Sequence, residues 1–220
     1  MTSGFGSSAS DPFGDGDGSY RSSPDWTHTI LGSPLARDPG TAFFYDNDNP
    51  QLVSSILQQL TGETAAAFAR ARLFKPLETE PGTWWADRRG VTDGAAGLLL
   101  RPRDLAKLGE LYLRHGRWRG RQLVPAWYIR DATSTQVLPA STQAGLGYGY
   151  LWWTFHNPAF PPLFLAIGSG GQLVIVAPTR DAVVVLTADS DSSRPDADEL
   201  ELARRVLAAV KREQTATDSH

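Results

Sequence analysis

The 220-residue sequence contains no cysteine. That excludes a disulfide framework and any thiolate-held zinc or iron–sulfur centre, and it leaves the redox compartment open. Lysine is scarce: of 21 basic residues only Lys75, Lys107 and Lys211 are lysines, so chemistry that needs one has three addresses. His28, His115, His156 and His220 show no ligand spacing, and no zinc site is expected. No stretch approaches the roughly 18 consecutive apolar residues of a membrane helix. The segment from Met1 to Tyr20 has neither the basic start nor the apolar centre of a signal peptide, so no membrane partner is expected. The compartment stays open, with the cytoplasm as the default. A net charge of −3 provides no broad basic field for nucleic acid. Gly145 to Tyr150 is glycine-rich but forms neither a dinucleotide fingerprint nor a phosphate loop, and no cofactor is expected.

What is present is ordinary for a packed domain, with 41% hydrophobic and 20% charged residues. A chain of this length can bury roughly 70% of its unfolded surface without covalent staples. Residues 1–24 are rich in Gly, Ser and Asp and read as a loop or tail. The run Asp15-Gly-Asp17-Gly18 within it does not make a calcium loop, because Phe13 and Pro24 stand where acidic ligands belong. From Asp25 the pattern becomes helical. Asn49-Pro50 predicts a cap and first-turn proline for a helix that carries Leu52, Val53, Ile56, Leu57 and Leu60 on one face and ends at Gly62. A second helix is expected over about 64–73, closed by Pro76. A third, from Pro102 to Gly116, buries Leu105, Leu108, Leu111 and Tyr112, and a short fourth starts at Pro125.

After residue 145 the texture changes to short apolar runs. Tyr148 to Phe155, Leu163 to Ile167, Gln172 to Ala177 and Ala182 to Ala188 read as strands of an antiparallel meander, with a hairpin turn at Pro178 to Asp181. A last helix over about 195–211 presents Leu202, Ala203, Val206, Leu207 and Val210 to one side. Helices, then a meander, then a closing helix make a mixed α+β domain, not an alternating βαβ fold.

Local chemistry is concentrated at Tyr45-Asp46-Asn47, just before the first long helix. A tyrosine phenol acts as a general base where nearby cations hold it partly as phenolate, and an amide two residues on can orient it or a substrate. The same residues equally fit a buried, hydrogen-bonded tyrosine and a helix-capping asparagine. Ser169, in Ile167-Gly-Ser-Gly-Gly171, lacks the first glycine of a nucleophile elbow and lies between two strands.

Four ordered blocks bear on this choice: Tyr45-Asp46-Asn47 leading into QLVSSILQQLTGETAAAFARARLFKPL; GLLLRPRDLAKLGELYLRHGRWRGRQLVPAWYIRDAT; YGYLWW; and GSGGQLVIVAPTRDAVVVLTA. Together, over nearly the whole chain, they resemble the β-lactamase-related serine hydrolases, the group of class C β-lactamases, DD-peptidases, esterases and 6-aminohexanoate-dimer hydrolases. The Gly-Gly-Gln near the start of the last block looks closest to the oligomer-hydrolase and esterase branch. The resemblance implies a serine hydrolase acting on a small-molecule amide or ester through an acyl-enzyme. In the family the nucleophile is the serine of Ser-x-x-Lys, the tyrosine of Tyr-x-Asn completes the proton relay, and a strand motif ending in glycine lines the oxyanion hole. Tyr45 and Asn47 match the second motif. Ala166-Ile167-Gly168 stands where the third belongs, keeping its glycine but neither its cation nor its hydroxyl, which weakens any case for a penicillin-type carboxylate. Gly168, Ser169 and Gly170 are then the oxyanion and substrate-lining candidates.

The first motif is absent: Arg72, Asp104 and Ala208 stand three residues before the three lysines. Met1-Thr-Ser-Gly-Phe5 resembles the family segment that follows the nucleophile helix. On that reading residues 1–24 are an internal loop, 25–212 a partial family domain and 213–220 a disordered tail. The first strands and the Ser-x-x-Lys helix would be supplied by a full-length protein. The expected architecture is a helical region over about 25–145 and a three-stranded meander with a C-terminal helix, inactive as it stands. A non-catalytic ligand-binding module that keeps the family cleft is the alternative.

Overall fold

The structure is a computed structural model that describes residues 1–5, 19–139, 146–155, 162–189, 205, 206 and 208. The chain divides into two compact units: Met1–Arg101, and Pro102–Leu138 with the described residues from Leu146 onward. The Asp15–Gly18 run and the tail fall outside the described residues, as does most of the expected closing helix. Of the last, Arg205, Val206 and Ala208 are helical.

In the first unit, α1 (Trp26–Leu31) is capped by Asp25, whose carboxylate accepts from the His28 backbone N–H at 3.0 Å. Its buried Trp26 and Ile30 form an apolar cluster with Tyr20, joined by Phe5 and Leu52. The first residues are tied in: Phe44 N–H donates to the Met1 carbonyl, Gly40 N–H to Thr2 and Ala36 N–H to Gly4. The long helix α2 (Asp48–Thr61) ends at Gly62 in the left-handed conformation, as its sequence predicts. Its packing differs from the expectation. The buried residues are Pro50, Gln51 and Ser54, whereas Val53 and Ile56 are each 57% exposed and Leu60 80% exposed. Polar bonding decides this face: Gly94 N–H donates to Gln51 Oε1 at 2.9 Å, and Ser54 Oγ donates to the Thr92 carbonyl at 2.7 Å. The approach is close enough that a Cβ on Gly94 would lie 2.0 Å from the Pro50 carbonyl oxygen. Next comes α3 (Ala65–Ala69), capped by Thr64, and it widens into a π-turn at Arg70–Phe74.

The second unit opens with α4 (Pro102–Leu113), about three turns long, with proline at its start and Asp104 in its first turn. Gly109 lets it sit on the sheet, since a Cβ there would meet Val183 Cγ1 at 2.5 Å. A two-strand ribbon that the sequence reading did not include, β1 (Arg117–Trp118) and β2 (Arg121–Gln122), turns at Arg119 and Gly120, both at positive φ. Helix α5 (Ala126–Ala132) follows Pro125. The sheet is a five-stranded antiparallel meander, not three-stranded: β3 (Leu146–Tyr148), β4 (Trp153–Phe155), β5 (Leu163–Gly168), β6 (Gln172–Ala177) and β7 (Ala182–Leu186), paired in chain order. The run from Tyr148 to Phe155 is broken because Leu151 takes a φ of 63° and reverses the chain. Leu113, Ala132, Trp152, Phe164, Val174 and Val176 make the core.

Candidate functional site

The Tyr45-Asp46-Asn47 turn is built by its middle residue. Asp46 is buried, and its carboxylate accepts from the Asn49 backbone N–H at 2.8 Å and from Asn49 Nδ2 at 2.6 Å. One oxygen therefore satisfies a free donor of the first turn of α2, and the other holds the neighbouring amide side chain. The sequence reading gave capping to Asn47 or Asn49. Instead Asn47 occupies the cap position without a side-chain cap bond, and Asn49 is the donor that Asp46 fixes. Burial raises the Asp46 carboxyl above the ordinary carboxylate value, against the opposing pull of the Asn49 hydrogen bonds.

Asn47 is also held through its backbone: its carbonyl accepts from Gln51 N–H at 3.3 Å, with the Tyr20 hydroxyl at 3.5 Å. Burial, seconded by the Asp93 carboxylate, raises the Tyr20 phenol strongly, so this tyrosine stays a protonated donor and is unsuited to act as a base. In the same unit Arg21 grips Asp93, with Nε donating to Oδ2 at 2.8 Å and Nη2 to Oδ1 at 3.3 Å. Asp93 is fully buried and also accepts from Ala95 and Ala96 N–H at 2.8 and 3.0 Å. The result is a paired, fully bonded buried carboxylate. Neither Tyr20 nor the Arg21–Asp93 pair was singled out from sequence. Asp46 was quoted there only as the middle of the motif, although an acidic residue three before a helix donor is a capping signal.

Gly168, Ser169 and Gly170 lie in the second unit. Gly168 ends β5 opposite Gln172, and Ser169-Gly170-Gly171 forms the loop between β5 and β6. Gly170 and Gly171 have φ of 76° and 82°, a backbone that a residue with a Cβ rarely adopts. Gln172 Nε2 closes the loop by donating to the Gly170 carbonyl at 3.0 Å and to the Ala188 carbonyl. Upstream, Ala166 and Ile167 pair with Val174 and Leu173, so this strand presents an apolar approach to its glycine. Among the described residues no three His, Asp or Glu side chains group as a metal site, and no helix is long and apolar enough to cross a membrane.

The chain is 35% identical over 82 residues to a D-aminopeptidase of Gluconobacter oxydans, a match that covers 37% of this chain and 15% of that protein. Its fold is similar to a protein of Bacillus anthracis described as a 6-aminohexanoate-dimer hydrolase, with a TM-score of 0.71 at 22% identity, over 87% of this chain and 49% of that one. It is also similar to a D-stereospecific amidohydrolase of Streptomyces, with a TM-score of 0.64 at 21% identity, over 92% of this chain and 69% of that one. The chain thus spans about half the length, or less, of the first relatives it matches. The helices followed by an antiparallel meander agree with that α+β fold. The beta-lactamase family model matches residues 1–209. With the match extending through both units, the chain belongs to the beta-lactamase family of serine hydrolase relatives.

Proposed function

We propose that this chain carries the relay and oxyanion portions of a site that hydrolyses small amides or esters through an acyl-enzyme. The observation that carries the reading is the Tyr45-Asp46-Asn47 turn, locked by a buried carboxylate in a chain of this family. Tyr45 serves as the proton-relay phenol, Asn47 orients it or the substrate, and Gly168, Ser169 and Gly170 line the oxyanion side. The apolar Ala166-Ile167 approach favours neutral acyl groups over substrates with a carboxylate at that position, because it offers no cation to pair with one.

The sequence holds no Ser-x-x-Lys, so no serine here has a lysine one helical turn away to activate it. This chain alone therefore gives no stoichiometric adduct with a serine-directed phosphonate, read by intact mass. When a family segment bearing Ser-x-x-Lys is supplied, in cis or as a second polypeptide, hydrolysis of p-nitrophenyl butyrate appears. Tyr45→Phe then lowers kcat by roughly 10²-fold or more, the size expected for a lost general base. Wild-type kcat in a folded Tyr45→Phe protein removes the relay assignment. A phosphonate adduct at Ser169 of the unsupplemented chain shows that another serine is the nucleophile. The missing acyl acceptor also favours a second reading, a ligand-binding module that keeps the family cleft. It predicts substrate binding without turnover even after the segment is supplied.

A further inference from the structure

We propose that the first unit carries a second ligand site, independent of the hydrolase reading: a cleft that binds a small carboxylate with an apolar body, anchored by Arg70. The cleft encloses about 340 Å3, within the range of small-molecule sites. It is formed where the π-turn faces the loop from Pro81 to Trp84. Its floor is apolar. Phe74 is buried, Trp84 stands 6.3 Å from it between ring centroids, and Pro81 and Leu98 complete the walls. The Trp84 indole N–H is committed to the Asp93 carbonyl at 2.8 Å, so this ring offers a ligand apolar surface and no donor.

Part of the backbone around the cleft is engaged as well. Gly82 N–H donates to the Leu99 carbonyl at 2.9 Å, and Leu99 N–H to the Thr83 carbonyl at 3.0 Å. Two polar side chains remain on the lining, the Arg70 guanidinium and the Thr83 hydroxyl. Among the described residues neither has a hydrogen-bond or ion-pair partner. Nearby acids are already engaged: Glu63 forms a two-bond pair with Arg72 at 2.8 and 2.9 Å, and Glu80 faces Arg101 at 3.8 Å. A guanidinium fork without a partner and a hydroxyl, on the same lining as two aromatic rings, match an anion that is planar at one end and apolar at the other. A carboxylate satisfies the fork with two parallel bonds, and an aryl or alkyl body covers Phe74 and Trp84.

The test is isothermal titration of the full chain with sodium 3-phenylpropanoate, with 3-phenylpropanamide as the uncharged partner of the same shape. Saturable one-site binding of the acid is expected, with the amide at least 10-fold weaker. Arg70→Gln should lower affinity for the acid to that of the amide, Arg70→Lys should fall between, and the exposed control Arg103→Gln should change nothing. Arg70 is exposed, so the variants retain the fold, which thermal unfolding verifies. Equal binding of acid and amide overturns the proposal. So does equal weakening by Arg70→Gln and Arg103→Gln, or the absence of saturable binding.

Discussion

The two units solve the burial problem in different ways. Among the described residues, seven of the nine buried polar or charged side chains, Asp46, Gln51, Ser54, Thr79, Asp87, Thr92 and Asp93, belong to the first. Its buried apolar side chains are fewer: Tyr20, Trp26 and Ile30 in one cluster, with Phe74 and Leu77 besides. The second unit buries only Asp104 and Thr154 of that set, and is built on Trp152, Phe164, Val174 and Val176. Apolar packing is non-directional and tolerant of small shifts, whereas a buried carboxylate demands particular donors at particular angles. The first unit therefore holds its turns largely by directional bonds, and the second holds its sheet largely by apolar packing.

This contrast can be broken at its strongest point first. Phe164→Ala removes a ring that packs edge-on against Trp152 at 5.2 Å. It should destabilise the protein by about 3–5 kcal/mol, the usual cost of emptying an aromatic core position. Equilibrium urea unfolding reads this, and a loss under 1 kcal/mol would mean that the second unit's core is not its main support. Asp93→Ala comes next. It breaks the ion pair with Arg21 and frees two backbone donors, and should cost roughly 2–4 kcal/mol. The double variant Arg21→Met, Asp93→Leu should recover part of that loss, because the half of the pair left behind is also removed. Failure to recover any of it would locate the effect in the Ala95 and Ala96 donors rather than the ion pair.

The smallest effect is a pH dependence. Burial raises the Asp46 carboxyl above its ordinary 3.8, so the folded state holds that proton more tightly than the unfolded one. The associated stability is full below the unfolded value and is lost as pH rises through the raised folded value. The wild type should therefore lose stability relative to Asp46→Asn across that interval, seen in Tm against pH. A difference between the two proteins that is flat with pH would mean that the Asn49 bonds offset the burial.

Much of the second unit was legible in the sequence. The runs Leu163 to Ile167, Gln172 to Ala177 and Ala182 to Ala188 are short and apolar, separated by glycine and proline turns, and each became a strand. Short pieces failed. Tyr148 to Phe155 reads as one strand because nothing in its composition reveals the left-handed Leu151, and the Arg117–Gln122 ribbon is too brief for any period. In the first unit, periodicity placed α2 but misjudged its face, since an apolar stripe cannot show that Gln51 and Ser54 have partners about 40 residues away. The motif residues Tyr45 and Asn47 were legible through resemblance. The Arg21–Asp93 pair was not, because it joins residues 72 positions apart.

The order of the meander also bears on how the molecule forms. Each strand pairs with its neighbour in sequence, and the β5–β6 and β6–β7 turns are only a few residues long. Little chain entropy is lost in closing them, and hairpins of this kind assemble in roughly 1–10 μs. Seating Gly109 of α4 against Val183 closes a loop of roughly 70 residues, a slower step that rewards an already formed sheet. Within the second unit the strand-to-strand contacts are thus the cheap ones to close, and the contact of α4 with the sheet is the costly one.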